Sequence, residues 1–121
     1  MRVDNAAITS MIAAARGARE NAYAPYSKFK VGAAVLGESG KVYTGCNIEN
    51  ASYGLTVCAE RVAIQKAVSD GERHIRAVAI VAGEHEIARP CGACLQVMRE
   101  FAVPGEPLVI AASSADGSYD T

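Results

Sequence analysis

Ala77-Val78-Ala79-Ile80-Val81-Ala82, followed by Pro90-Cys91-Gly92-Ala93-Cys94 and then by Leu108-Val109-Ile110-Ala111-Ala112, is the part of the chain whose reading decides the fold. Its first and last segments are unbroken apolar runs of strand length, and Leu95, Met98 and Phe101 between them share one helical stripe. Strand, helix, strand is a parallel βαβ unit, and its crossover is expected to be right-handed.

Working outward, Cys58 to Ser69 reads as a second helix. It is rich in helix formers, has apolar Val62, Ile64, Ala67 and Val68 on more than one face, and meets a stop at Asp70-Gly71. Such a helix is expected to be well covered. Phe29–Leu36 and Val42–Cys46 read as strands joined by the turn Gly37-Glu38-Ser39-Gly40, an antiparallel hairpin. Residues 4 to 22 form an amphipathic helix with Ile8, Met11, Ile12, Ala15 and Ala18 or Ala22 on its stripe, capped by Asp4 or Asn5 and broken by Ala24-Pro25-Tyr26-Ser27. Residues 47 to 57 follow neither period, as binding loops often do not. The expected fold is α/β with three layers (α, β, α). Its mixed sheet combines an N-terminal antiparallel hairpin with parallel βαβ units.

A length of 121 residues suits one domain spanning 1–121, at roughly 100–200 residues per domain. Half the residues are apolar and 21% are charged, which excludes disordered and collagen-like chains. Twelve basic against thirteen acidic residues leave a formal charge of −1, so the general attraction to nucleic acid is missing. No signal-peptide pattern opens the chain, and no apolar run approaches the roughly 20 residues of a membrane span. The expectation is a cytoplasmic protein without membrane or nucleic-acid partners. Four cysteines are too few for a disulfide scaffold, so their thiols call for another explanation.

Cys91 and Cys94 fall in the first turn of a helix, where unpaired N–H groups and the helix dipole favour thiolate, and Cys58 holds the same kind of position on another helix. One Cys followed much later by Cys-x-x-Cys suits Zn²⁺, which in catalytic sites keeps three protein ligands and an open fourth position. Alone, the Cys91/Cys94 pair fits a thiol oxidoreductase or two small buried apolar residues equally well, and all four cysteines together would make a closed structural zinc module. Glu60, two residues after Cys58, is either a general base beside a metal site or an ordinary first-turn Glu favoured by the dipole. His74 and His85 have no partner at metal spacing and read as surface or loop residues.

Cys58-Ala59-Glu60-Arg61 together with Pro90-Cys91-Gly92-Ala93-Cys94 resembles the zinc-dependent nucleoside deaminases, specifically the small cytidine deaminases with three cysteine ligands. Ala24-Pro25-Tyr26-Ser27-Lys28-Phe29 with Val31-Gly32-Ala33-Ala34, and Gly45-Cys46-Asn47-Ile48-Glu49-Asn50, are similar to the same family. The resemblance covers about residues 10 to 112. It implies that Cys58, Cys91 and Cys94 bind one Zn²⁺ per chain and that Glu60 shuttles protons while water attacks C4 of the cytosine ring. The product is the uracil nucleoside, with ammonia released, in pyrimidine salvage. The resemblance also implies that Arg61 donates to the ligand thiolates, that Asn47 and Glu49 hold the 3′-hydroxyl of the ribose, and that Phe29 and the Ala59 backbone meet the base. Cys46 falls on the hairpin strand, away from the metal. A deaminase of another cytosine-containing nucleoside is the nearest alternative.

Family members of this type are typically homotetramers whose sites borrow residues from neighbouring subunits, and the same is expected here. They also continue past a final hairpin into a short helix with a late Phe over a neighbour's substrate, whereas this sequence stops at Ser114-Ala115-Asp116-Gly117-Ser118-Tyr119-Asp120-Thr121. The expectation is that the native chain extends further.

Overall fold

The computed structural model describes residues 3–82, 92–102, 107–112 and 119–120. In chain order these form α1 (Asn5–Arg19), β1 (Gly32–Gly37), β2 (Val42–Cys46), a 3₁₀ turn (Tyr53–Leu55), α2 (Ala59–Ser69), β3 (Ile75–Val81), α3 (Gly92–Glu100), β4 (Leu108–Ala112) and β5 (Tyr119–Asp120). Among the described residues the sheet has five strands in the order β2-β1-β3-β4-β5.

The hairpin is antiparallel as expected, with Gly32 opposite Cys46 and Leu36 opposite Val42. β3 and β4 run parallel from Ala77 opposite Leu108 to Val81 opposite Ala112, which bears out the strand–helix–strand reading. β1 meets β3 antiparallel, so the described parallel pairing is confined to β3 and β4.

Alternation along the strands separates two cores. Ala34 and Leu36 of β1 and Ala77, Ala79 and Val81 of β3 pack with Ile8, Met11, Ile12 and Ala15 of α1. Ala33 and Val35, with Val78 and Ile80, point to the other face and pack with Ala63, Ile64 and Ala67 of α2 and Cys94 and Met98 of α3. Side chains of successive strand residues project to opposite faces, and both faces of this sheet are apolar. Helices therefore cover it on both sides.

Three local expectations shift. α1 ends at Arg19, not Ala22, because the following amides bond three residues back, Asn21 N to Ala18 O at 3.0 Å and Ala22 N to Arg19 O at 3.1 Å, and Tyr23 N then turns to Asn47 O. Its cap is Asp4, whose Oδ1 accepts from Ala7 N at 2.9 Å. β1 begins at Gly32, not Phe29, because the Asn47 side chain occupies the backbone groups that a strand partner would use. Its Nδ2 donates to Phe29 O and its Oδ1 accepts from Val31 N, both at 2.9 Å. On α3, Met98 is buried and Phe101 packs against the same core as expected, but Leu95 is 50% exposed and Cys94 takes the buried place at that turn.

Close approach of helix and sheet positions α2. A Cβ at Gly45 would lie 2.6 Å from Ala63 N and 2.7 Å from Ala59 O, so β2 rests directly on the α2 backbone. A Cβ at Gly32 would likewise meet Ala15 O of α1 at 1.9 Å. Gly45→Ala is expected to cost about 1–3 kcal/mol of folding free energy, as overpacking does, and to weaken zinc retention, Cys58 at the head of α2 being one of the ligands the resemblance implies. Chemical denaturation followed by metal analysis of the folded fraction checks both; native-like values for both would show that α2 has room to move.

Candidate active site

Cys58 is the N-cap residue of α2, extended at φ −70° and ψ 154°, so its thiol sits where the first helical N–H groups gather. Cys94 lies in the first turn of α3 and is fully buried. Arg61 joins the two thiols. Its Nη2 donates to Cys58 Sγ at 3.6 Å and to Thr56 O at 3.3 Å, and hydrogen bonds to Cys58 and then Cys94 push its pKa upward against the effect of burial. Arg61 Nε is buried without a hydrogen-bond partner among the described residues.

Glu60 is 5% exposed. Burial raises its carboxyl above the usual carboxylate range, while its own backbone N–H, a hydrogen bond with the Cys94 side chain and the Arg61 charge pull the other way. Two thiols from different helices, a guanidinium bonded to both and a buried carboxylate therefore converge. Soft sulfur donors at helix N-termini suit zinc, and the Arg61 cation offsets the negative charge that thiolate ligands bring.

A cavity of about 260 Å³ opens beside this cluster, lined among others by Phe29, Asn47, Glu49, Cys58, Ala59 and Glu60. Every expected substrate-contacting residue thus borders one space with Glu60 and one thiol. Its rim is built by the chain around Ile48. Tyr23 N donates to Asn47 O at 3.0 Å, Glu49 N to Tyr23 O at 2.8 Å, and Ile48 exchanges hydrogen bonds with Val57, each 2.9 Å. The aperiodic stretch 47–57 is consequently an ordered rim.

The Glu49 carboxylate accepts from Tyr26 N at 3.0 Å, from Ser27 N at 3.1 Å and from the Ser27 hydroxyl, which chiefly holds its pKa below the usual range. Phe29 is 41% exposed at the cavity wall. Ser27 and Thr56 also line the cavity; in the sequence Ser27 belongs to a helix-breaking turn and to the family-like segment 24–29 without a role of its own, and Thr56 carries no signal. Tyr53 borders a neighbouring space of about 230 Å³. Cys46, at the end of β2 opposite Gly32, is not among the described residues lining the cavity. His74 is partly exposed and pairs with Glu38 at 2.7 Å. Cys91 and His85 lie outside the described residues, as does most of the C-terminal segment from Ser114.

Residues 6–109 match the sequence model for the cytidine and deoxycytidylate deaminase zinc-binding region. The chain belongs to this deaminase family. A cytidine deaminase of Sporosarcina psychrophila is 52% identical over 103 residues, spanning 85% of this chain and 76% of that protein. One of Halalkalibacterium halodurans is 60% identical over 84 residues, spanning 69% of this chain and 64% of that protein. The crystal structure of a cytidine deaminase from Burkholderia pseudomallei superposes with a TM-score of 0.81 at 50% identity, over 92% of this chain and 87% of that one. The deaminase fold and the region the family uses for zinc are therefore those of this chain, with α2 and its first turn inside the matched region.

Proposed function

We infer that this chain hydrolyses cytidine and 2′-deoxycytidine to uridine and 2′-deoxyuridine with release of ammonia. One observation carries this reading. A buried carboxylate, Glu60, shares a helical first turn with Cys58, hydrogen-bonds Cys94 from another helix and lines a cavity of about 260 Å³ together with Phe29, Asn47 and Glu49. A thiol oxidoreductase built on Cys91 and Cys94, or a structural zinc module, leaves that carboxylate and that cavity without work.

Cys58, Cys91 and Cys94 hold one zinc per chain, and Arg61 donates to the ligand thiolates. The metal, when bound, supplies a water acidic enough to ionise near neutral pH. Glu60 takes one proton of the attacking water and passes it to ring N3, then takes the second from the new C4 hydroxyl and delivers it to the amino group leaving C4. Water adds at C4, the C4–N4 bond breaks, and ammonia carries the amino nitrogen away. A carboxyl whose burial raises its pKa is suited to this task, because it must surrender the proton it accepts. Phe29 walls the base, the Ala59 backbone contacts it, and Asn47 and Glu49 take the ribose 3′-hydroxyl. With a formal charge of −1, the chain has little to attract a polynucleotide.

Purified protein is expected to bind about one zinc per chain and to release ammonia from free cytidine. Chelation should abolish the reaction, salt should affect it little, and oligonucleotides should not be deaminated. Zinc retention without deamination, or dithiol oxidation in its place, overturns the reading. Arg61→Ala is expected to lower turnover by roughly ten- to hundredfold while zinc content falls much less. Equal losses would mean that Arg61 chiefly retains the metal.

The same reading makes residues 1–121 one domain of a cytoplasmic homotetramer in pyrimidine salvage, with sites near subunit interfaces. A groove of about 700 Å³ along β2 and α2, lined in part by Tyr43, Ile48, Val57 and Val62, offers apolar surface for such contacts. So do Tyr53, Leu55 and Tyr26, which are 91%, 65% and 62% exposed, the two tyrosines bordering the neighbouring space of about 230 Å³. Among the described residues no helix is long and apolar enough to cross a membrane.

A further inference from the structure

We propose that Ser27 is a positioning residue for nucleoside recognition, its hydroxyl tying the sugar-binding carboxylate of Glu49 to the backbone of Phe29, which walls the base. This rests on the reading of Glu49 as the 3′-hydroxyl acceptor.

A serine hydroxyl has one hydrogen to give and two lone pairs to accept with. Ser27 gives its hydrogen to Glu49 Oε2 and accepts from Phe29 N at 3.0 Å. Its own backbone N–H donates to Glu49 Oε1 at 3.1 Å, beside that of Tyr26 at 3.0 Å. Glu49 therefore has three donors from the 26–27 turn on the roughly four acceptor positions of a carboxylate. One position remains for substrate, enough for a single hydroxyl.

Phe29 is held on both sides of its peptide unit. Ser27 Oγ takes its N–H and Asn47 Nδ2 donates to its carbonyl at 2.9 Å. Between Ser27 and Phe29 the backbone of Lys28 adopts φ +62°, an uncommon conformation for a residue with a side chain, stabilised by Lys28 N donating to Ala24 O at 3.0 Å. Both Ser27 and Phe29 border the same cavity as Glu49 and Glu60. Loss of the Ser27 hydroxyl would leave Glu49 Oε2 free to rotate and the Phe29 N–H without its acceptor. The sugar contact would loosen first, since the carboxylate loses its strongest constraint.

The test compares 2′-deoxycytidine with 2′,3′-dideoxycytidine, which differ only in the 3′-hydroxyl, across the native enzyme, Ser27→Ala, Ser27→Thr, Glu49→Gln and the Ser27→Ala/Glu49→Gln pair. Ser27→Ala is expected to lower kcat/KM for 2′-deoxycytidine by about tenfold, the usual worth of a hydrogen bond to a charged group. The loss should fall mainly on KM, with much less effect on the dideoxy substrate, so that discrimination shrinks. Ser27→Thr, which keeps the hydroxyl, should restore it. The double variant should lose little beyond Glu49→Gln alone, because the two residues act through one contact. Equal loss on both substrates, or additive losses in the double variant, would reduce Ser27 to support of the fold and overturn the proposal. If Glu49→Gln erases discrimination while Ser27→Ala preserves it, the proposal fails and the Glu49 reading stands. If Glu49→Gln itself preserves discrimination, the Glu49 reading fails and takes the proposal with it.

Discussion

Glu60→Gln is expected to retain zinc and a native cavity while kcat for cytidine drops by roughly two to four orders of magnitude, the usual contribution of a positioned acid–base group. The amide matches the carboxylate in shape, so the first turn of α2 and the contacts around Cys94 should persist. What the amide lacks is a proton it can accept and return. Deamination needs two such transfers, one proton from water onto N3 and a second from the new C4 hydroxyl onto the departing amine. KM for cytidine should change little, because the proposed sugar contacts, Asn47 and Glu49, are left intact. Steady-state kinetics with metal analysis on the same preparation provide the check. Turnover within tenfold of native would assign the proton transfer to another group.

Cys58→Ala should have a comparably large effect of a different kind. Zinc content should fall from the expected one per chain to near zero, since a thiolate is removed from the proposed three-cysteine site, and deamination should vanish with it. The Arg61 guanidinium would lose the first of its sulfur acceptors, now 3.6 Å away. Cys46→Ser is the matched control, and both zinc and turnover should survive it. Loss of zinc from Cys46→Ser would instead indicate a closed site of four cysteines, with no position left for water.

Much of this site can be read along the chain because its chemistry is local. Cys58 and Glu60 are two residues apart, and once α2 is recognised from its composition they must share its first turn. The hairpin and the β3–α3–β4 unit are equally legible from hydrophobic period and turn residues. Errors cluster where a distant side chain intervenes. Phe29 to Val31 have strand-like residues, yet Asn47, 16 to 18 positions away, takes their backbone hydrogen bonds. The exposure of Leu95 follows from how α3 rolls against the sheet, which Cys94 and Met98 set by packing with Ala59 and Ile64 in one core. Ser27 has no role legible along the chain, because a serine after Pro25-Tyr26 is ordinary turn chemistry until Glu49 is placed against it.

Periodicity, capping residues and spacing are properties of neighbours in sequence, and they were enough to order the helices and strands, to place Cys58 and Cys94 at helix starts and to set Glu60 beside one of them. The meeting of those two helix starts is a property of packing. It depends on the contact of Gly45 with the α2 backbone, on β1 pairing with β3, and on both helices burying the same face of the sheet. The same holds for Asn47 and Glu49, whose polar atoms reach backbone groups far away in the chain. Hydrogen bonds of this kind form only where folding has already brought the partners together, so no local pattern of residues encodes them.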